Sequence, residues 1–288
     1  MEALIYSYYK LAKPGIVYGN SLAVAAGFLL ASRADIDVGL LLATLLGIGL
    51  IMASGCVFNN YIDRDIDALM ERTKRRALVT GEIPPFSALV YATILGTLGL
   101  LVLMWFTNLV TVLIAFFGLW TYVVLYSLIS KRRSVHATLI GAIAGAIPPV
   151  VGYCAVSNTL DMGAIILFFI LLIWQFPHAY AIAMYRYDDY AAASIPVLPI
   201  KEGAENGKLH MVLYIIAFMF STQMLTYFNY TGLLYAGVMF TLSALWLGLA
   251  VRGFSSQDDA AWGKLMFHSS LFILVSWCLL IAIDTVRI

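Results

Sequence analysis

The sequence predicts an all-α polytopic membrane protein with nine transmembrane helices around a central cavity. Three observations carry that prediction. Of the 288 residues, 62% are hydrophobic. Only 11% are charged, where a soluble domain carries about 25%. Nine apolar runs approach the length of about 20 residues that a hydrocarbon core demands. A water-soluble fold of this size has no means of hiding so much apolar surface. A soluble globular enzyme, a disordered chain and a basic nucleic-acid binder are therefore excluded.

The nine runs are 16–32, 38–60, 86–106, 109–129, 137–156, 162–184, 210–228, 231–250 and 265–283. None alternates with period two, so a barrel of strands is not expected. The first run follows Lys13-Pro14-Gly15 and is long enough to span, with no cleavage site of a removable signal. The second ends in a row of acids. The third and fourth are joined by the short Thr107-Asn108 turn, and the fourth stops at Lys131-Arg132-Arg133. The fifth holds Gly141, Gly145 and Gly152, and Pro148-Pro149 predicts a kink or break in it. Those glycines either make room for a planar ligand or let helices pack closely. The sixth follows the connection Ser157 to Asp161, contains Pro177-His178, and ends before a second acidic pair. The last three runs carry few chemical markers. The chain, 1–288, reads as one membrane domain. Cys56, Cys154 and Cys278 all lie in apolar stretches without metal spacing and read as small core residues.

Lys and Arg set the orientation. With the N-terminus cytoplasmic and nine spans, fifteen basic residues fall inside, and only Arg33 and Arg287 fall outside. No organelle-type leader is visible, so the expected location is a bacterial plasma (inner) membrane with the C-terminus outside. The two longest inner connections are 61–85 and 185–209, and both begin with acids. Long loops in compact proteins are often functional.

Asn59, Asp63 and Asp67 are spaced i, i+4, i+8. If the second helix continues through them, their oxygens share one face, whereas Asp65 points elsewhere. Acids so close to hydrocarbon need a partner. A hard divalent cation supplies one, and Mg²⁺ is usually bound by one or two carboxylates plus substrate phosphates. The second cluster, Asp188-Asp189, offers ligands from a second wall. Arg72, Lys74, Arg76, Lys131 and Arg132 are candidates for a diphosphate, because guanidinium and ammonium groups bind phosphate oxygens. A metal-held diphosphate above apolar helices implies an amphipathic substrate with an allylic tail. Departure of the diphosphate would leave a carbocation-like species that a dry cavity protects from water.

The pattern Asn59-x₃-Asp63-x₃-Asp67, followed by Met70-Glu71-Arg72-Thr73-x₂-Arg76, resembles the first motif of the UbiA-type intramembrane prenyltransferases. Tyr126-Ser127 leading to Lys131-Arg132 agrees with it. The stretches Gly141 to Gly152, Trp174-Gln175-Phe176-Pro177-His178, Asp189-Tyr190 and Ile195 to Pro199 resemble the haem-modifying branch, over residues of about 10 to 270. The resemblance implies Mg²⁺ as cofactor, farnesyl diphosphate as donor and haem B as acceptor. It further implies metal on Asn59, Asp63, Asp67, Asp188 and Asp189, and catalysis by Asp63, Asp67 and His178. Gln175 and His178 would meet the acceptor, and a downstream haem A synthase or terminal oxidase assembly would be a partner. Tyr185 stands where a quinone-forming relative would carry an acid, and Ala77 stands where many relatives have proline.

His178 has open readings: a haem-iron ligand, a general base, a diphosphate contact or a buried structural histidine. An aromatic quinone or chlorin precursor is the alternative acceptor. A cation-coupled transporter would instead place its ionisable groups at the bilayer midplane in broken helices, where this sequence has almost none.

Overall fold

The computed structural model describes residues 2–33 and 35–286. Among these, nine helices are long and apolar enough to cross a membrane. They are α1 (Pro14–Ser32), α2 (Val38–Ile62), α3 (Pro85–Phe106), α4 (Leu109–Ser130), α5 (Ala137–Ser157), α6 (Met162–Tyr185), α7 (Ala204–Tyr227), α8 (Leu233–Ser255) and α9 (Asp259–Asp284). The only strand-like pairing among the described residues is an isolated bridge, Thr231 to Thr285. Large apolar side chains such as Trp105, Phe116, Leu233 and Phe272 face outward, where lipid replaces water as their solvent. The chain is a multi-pass membrane protein. Arg287, one of the two basic residues assigned to the outer side, lies outside the described residues.

All nine expected spans are present. Four begin on a side-chain cap: Asp37, Asn108, Asp161 and Asp258 each accept a hydrogen bond from a backbone N–H of the first turn. Two spans start earlier than hydropathy predicts. α7 begins at Ala204 rather than 210, and α9 at Asp259 rather than 265. The reason is charge pairing. Lys208 is buried and meets Glu205 at 2.7 Å and Asp259 at 2.8 Å, so these charges at the two helix starts neutralise one another.

α1 and α5 approach to backbone contact. A Cβ on Gly152 would lie 2.0 Å from the Val24 carbonyl oxygen, and one on Gly27 would lie 2.0 Å from that of Pro149. At Gly152 the close-packing role therefore holds. α5 breaks at Ala146, into Ala137–Gly145 and Ile147–Ser157, just before the expected Pro148-Pro149. The second half of α4, Thr121–Ser130, is a π-helix.

Four short helices, Glu2–Leu11, Arg64–Asp67, Tyr187–Ala192 and Leu198–Lys201, lie outside the spans. A buried cluster of Ile66, Met70, Ala193 and Ile195 joins the connection after α2 to the connection after α6. The two acid-bearing connections thus pack together at one end of the bundle.

Candidate active site

Hydrogen bonding runs through the first acidic row. The Asp63 amide donates to the Asn59 carbonyl at 2.9 Å, and the Asp67 amide donates to the Asp63 carbonyl at 2.8 Å. The helix itself does not run through. α2 ends at Ile62, Asp63 takes φ −89°, ψ 3°, and Arg64–Asp67 forms one further turn. The condition of a continuous helix is thus not met, while the i, i+4, i+8 bonding order survives. Asn59, Asp63 and Asp67 are 4%, 1% and 2% exposed, so the charge of the two carboxylates has to be met inside the protein.

Two cations, Lys131 and Arg76, meet it, and a third, Lys13, meets the amide of Asn59. Lys13 Nζ donates to Asn59 Oδ1 at 2.6 Å. Lys131 Nζ donates to Asp63 Oδ2. Arg76 Nη1 donates to Asp67 Oδ2 at 2.5 Å and to Asn60 Oδ1 at 2.9 Å. Asn59 Nδ2 donates in turn to Asp63 Oδ2 at 2.8 Å and to Ser127 Oγ at 3.1 Å. Arg132 grips Asp65 with two bonds of 2.6 Å and stands 3.7 Å from Asp63 Oδ1. That fork holds the Asp65 carboxyl below the usual carboxylate range.

One atom is left over. Asp63 Oδ1 is buried and has no hydrogen-bond partner among the described residues. A buried carboxylate oxygen without a partner costs about 1–3 kcal/mol or more. A cation held there would remove the penalty, and oxygen donors suit Mg²⁺. The described residues bring no three His, Cys, Asp or Glu side chains into one metal-binding group. The residues therefore fit a Mg²⁺ held by one or two carboxylates, its remaining positions filled by phosphate oxygens or water. They do not build a complete protein cage.

The π-helix explains why α4 contributes so many groups. Bonding i to i+5 gives about 4.4 residues per turn, which brings Tyr122, Tyr126 or Ser127, and Lys131 onto one face. Tyr122 and Tyr126 stack at 5.8 Å, Ser127 touches Asn59, and Lys131 touches Asp63. Lys13 sits just before α1 in a left-handed conformation, φ 52°, ψ 62°, which costs a non-glycine residue about 1 kcal/mol. The bend aims its ammonium at the acids. Burial, then the Arg76 charge, pushes its pKa down to about 8.

The second acidic segment differs. Asp188 is exposed and Asp189 half-buried, on the short Tyr187–Ala192 helix. Neither joins an ion pair among the described residues. Their neighbour Tyr190 reaches the first row: burial raises its phenol pKa, while the charges of Lys131 and Arg72 oppose that rise. Arg186 and Lys264 lie over the Tyr185 ring, at 4.2 and 5.6 Å from its centroid. At Tyr185, where an acid was conceivable, the protein binds cations by an aromatic face instead.

The remaining predicted residues divide. Arg72 is exposed beside Tyr190. Lys74 pairs with Glu71 at 2.5 Å on the surface. Gln175 spends its amide nitrogen on the carbonyls of Ala142 and Leu171, both at 3.0 Å, and so braces α5 next to its break. His178 bonds Ser270. Lys13, Asn60, Ser127 and Ser270 were not singled out from sequence. The Lys13-Pro14-Gly15 punctuation and the Tyr126-Ser127 stretch were the signals available for Lys13 and Ser127.

Residues 21–271 match the model of the UbiA prenyltransferase family. The chain belongs to the UbiA prenyltransferase family. It is similar to curated UbiA-type relatives over nearly its whole length. It is 50% identical over 281 residues to the protoheme IX farnesyltransferase of Yersinia pseudotuberculosis serotype O:1b, covering 98% of this chain and 95% of that one. The protoheme IX farnesyltransferase of Serratia proteamaculans gives the same identity and coverage. Among solved structures, the UbiA fold recurs in a digeranylgeranylglyceryl phosphate synthase (TM-score 0.78, 18% identity, 98% of this chain and 99% of that one). It recurs also in a UbiA homolog from Archaeoglobus fulgidus bound to GPP and Mg²⁺ (TM-score 0.76, 16% identity, 96% and 99%). The protein is a membrane-embedded prenyltransferase.

Proposed function

We propose that the protein transfers the farnesyl group of farnesyl diphosphate to a vinyl group of haem B, giving haem O, in a bacterial inner membrane. The observation that carries the donor half is the buried Asn59–Asp63–Asp67 row, ringed by Lys13, Arg76, Lys131 and Arg132 at one end of an apolar bundle. Half-identity with protoheme IX farnesyltransferases along 98% of the chain supports the acceptor half.

Asp63, through its unpartnered Oδ1, and Asp67, with Asn59, would hold Mg²⁺, and Asp189 or Asp188 would add ligands from the facing segment. Bound Mg²⁺ would neutralise the diphosphate and favour its departure. Lys131 and Arg76 would exchange part of their hold on the carboxylates for phosphate oxygens, with Arg72 and Arg132 at the rim and Lys74 further out. The C–O bond of the donor breaks, a C–C bond forms to the vinyl carbon, and water adds to the resulting cation with loss of a proton. The apolar helix faces below exclude other water until then. Gln175 and His178, deeper on α6, are the acceptor-side residues of this reading. Fifteen basic residues on one side support a cytoplasmic N-terminus and diphosphate entry from the cytoplasm. A haem A synthase or a terminal oxidase assembly would then take up the product.

The test is an acceptor assay with farnesyl diphosphate and Mg²⁺, comparing haem B with 4-hydroxybenzoate-type and chlorin acceptors by mass analysis. Haem O formation is the expected result. Its absence, with prenylation of another acceptor, would replace haem by that acceptor.

A further inference from the structure

Asn60 follows Asn59 and points about 100° further round α2. It is buried, and both ends of its amide are used. Nδ2 donates to the Leu11 carbonyl at 2.7 Å. Oδ1 accepts from Arg76 Nη1 at 2.9 Å, and the same nitrogen holds Asp67 at 2.5 Å. A backbone carbonyl can only accept and a guanidinium can only donate. A side chain that serves both at once needs a donor and an acceptor on one short fork. An asparagine amide has both, whereas an aspartate has only acceptors.

The Leu11 carbonyl ends the helix Glu2–Leu11, where backbone acceptors lack partners within the helix. That helix lies outside residues 21–271, the stretch that matches the family model. It packs on the connection that carries Arg76. Leu11 and Ala12 share a buried cluster with Leu78 and Ile83. The Tyr8 ring meets Tyr91 edge-on at 5.1 Å, and Ser7 Oγ donates to Glu82. Two residues beyond Leu11, Lys13 turns left-handed and reaches Asn59. Adjacent amides of α2 thus hold both ends of the segment 11–13, and Asn60 joins that segment to Arg76.

We infer that Asn60 is a positioning residue that ties the N-terminal helix to Arg76 and so fixes the guanidinium where a diphosphate meets it. The inference rests on the reading in which Arg76 takes phosphate oxygens, and it deepens that reading: the cation is aimed by a helix that carries no reacting group. When Arg76 exchanges part of its hold on Asp67 for phosphate, the bond to Asn60 keeps the guanidinium from swinging away. The Leu11 carbonyl pins the amide from the other side.

The experiment uses the full-length protein in nanodiscs. Donor affinity is read with farnesyl thiodiphosphate and Mg²⁺, which needs no acceptor, and haem B affinity is read by absorption titration. Asn60→Asp keeps an oxygen for Arg76 but sets a carboxylate against the Leu11 carbonyl. It is expected to bind the donor analogue about 10-fold more weakly, the size of one lost hydrogen bond to a charged group, with haem affinity within about twofold. Tyr8→Ala, which loosens the helix far from the acids, is expected to weaken the donor about threefold in the wild type and not at all in Asn60→Asp, because the tie is already cut there. Equal weakening of donor and haem marks a general structural defect and overturns the inference. So do multiplying effects of the two substitutions, or unchanged donor affinity in Asn60→Asp. Should Asn60→Asp fail to accumulate, Tyr8→Ala decides alone, and wild-type donor affinity in it overturns the tie. Arg76→Lys is read alongside. If it leaves donor affinity untouched, the diphosphate reading of Arg76 fails; if it weakens the donor while Asn60→Asp does not, only the positioning role fails.

Discussion

The two acidic segments share one end of the bundle and differ in how their charge is carried. Asn59, Asp63 and Asp67 are buried, in register, and held by Lys13, Lys131 and Arg76. Asp188 and Asp189 stand on a six-residue helix, exposed or half-buried, with no cation against them among the described residues. An isolated buried carboxylate costs several kcal/mol in effective desolvation, so the first row exists only because its cations come with it. A solvated carboxylate carries no such cost. The first segment is a wall fixed at folding, while the second can adjust to a bound diphosphate. That contrast predicts unequal sensitivity to mutation.

The largest effect is expected at Asp63. Asp63→Asn keeps the shape, removes the charge that faces Lys131, and weakens the one unpartnered oxygen. Turnover should fall by about 10³-fold, in the range seen when a single transition-state contact is lost, while the protein still accumulates in the membrane. Near-wild-type haem O production would remove Asp63 from the site. Next comes Arg76→Lys. Arginine meets Asp67 and Asn60 from one nitrogen and keeps its other donors free for phosphate oxygens, whereas a lysine ammonium that made the same two bonds would have one donor left. A loss of about 10- to 100-fold is expected, mostly as a raised KM for farnesyl diphosphate. In the second segment, Asp189→Asn should cost about 10-fold and raise the Mg²⁺ concentration needed for half-maximal rate. Asp188→Asn, more exposed, should stay within about twofold. Equal losses at Asp63 and Asp188 would erase the distinction between wall and adjustable edge.

Much of this architecture was legible because it rests on one-dimensional signals. Nine spans follow from apolar length, and the acidic row follows from its spacing and its distance from hydrocarbon. Arg76, Lys131 and Arg132 were legible as site cations, but the way the partners reach the row was not. Lys13 reaches Asn59 across 46 positions, and only its left-handed bend before Pro14 aims it there. The π-helix of α4 carries no sequence mark, since slipping from i+4 to i+5 bonding depends on packing, yet it decides that Ser127 and Lys131 face the acids. The early starts of α7 and α9 escaped a hydropathy reading for a related reason: Lys208 becomes tolerable in a helix only once Glu205 and Asp259 surround it. Sequence periodicity reports what each helix buries, and long-range ion pairs report how helices meet.

The smallest effect tests the rim between the two segments. Arg132 is shared, with two bonds of 2.6 Å to Asp65 and a 3.7 Å approach to Asp63 Oδ1. Asp65 is largely exposed, so the pair itself contributes less than about 1 kcal/mol to stability. Its depressed carboxyl pKa means that this contribution is present above the ordinary carboxylate range and is lost as pH falls through the lower folded value. Asp65→Asn should therefore barely change the melting temperature at neutral pH. Its informative consequence is local. Freed from Asp65, the guanidinium can close on Asp63 Oδ1 and compete with the metal for that oxygen. The Mg²⁺ concentration for half-maximal turnover should rise about twofold, with the shift fading at high ionic strength as exposed charges are screened. An unchanged Mg²⁺ dependence would mean that Arg132 stays where Ile62 holds it, through the 2.7 Å bond to that carbonyl, and that the rim is set by the backbone rather than by Asp65.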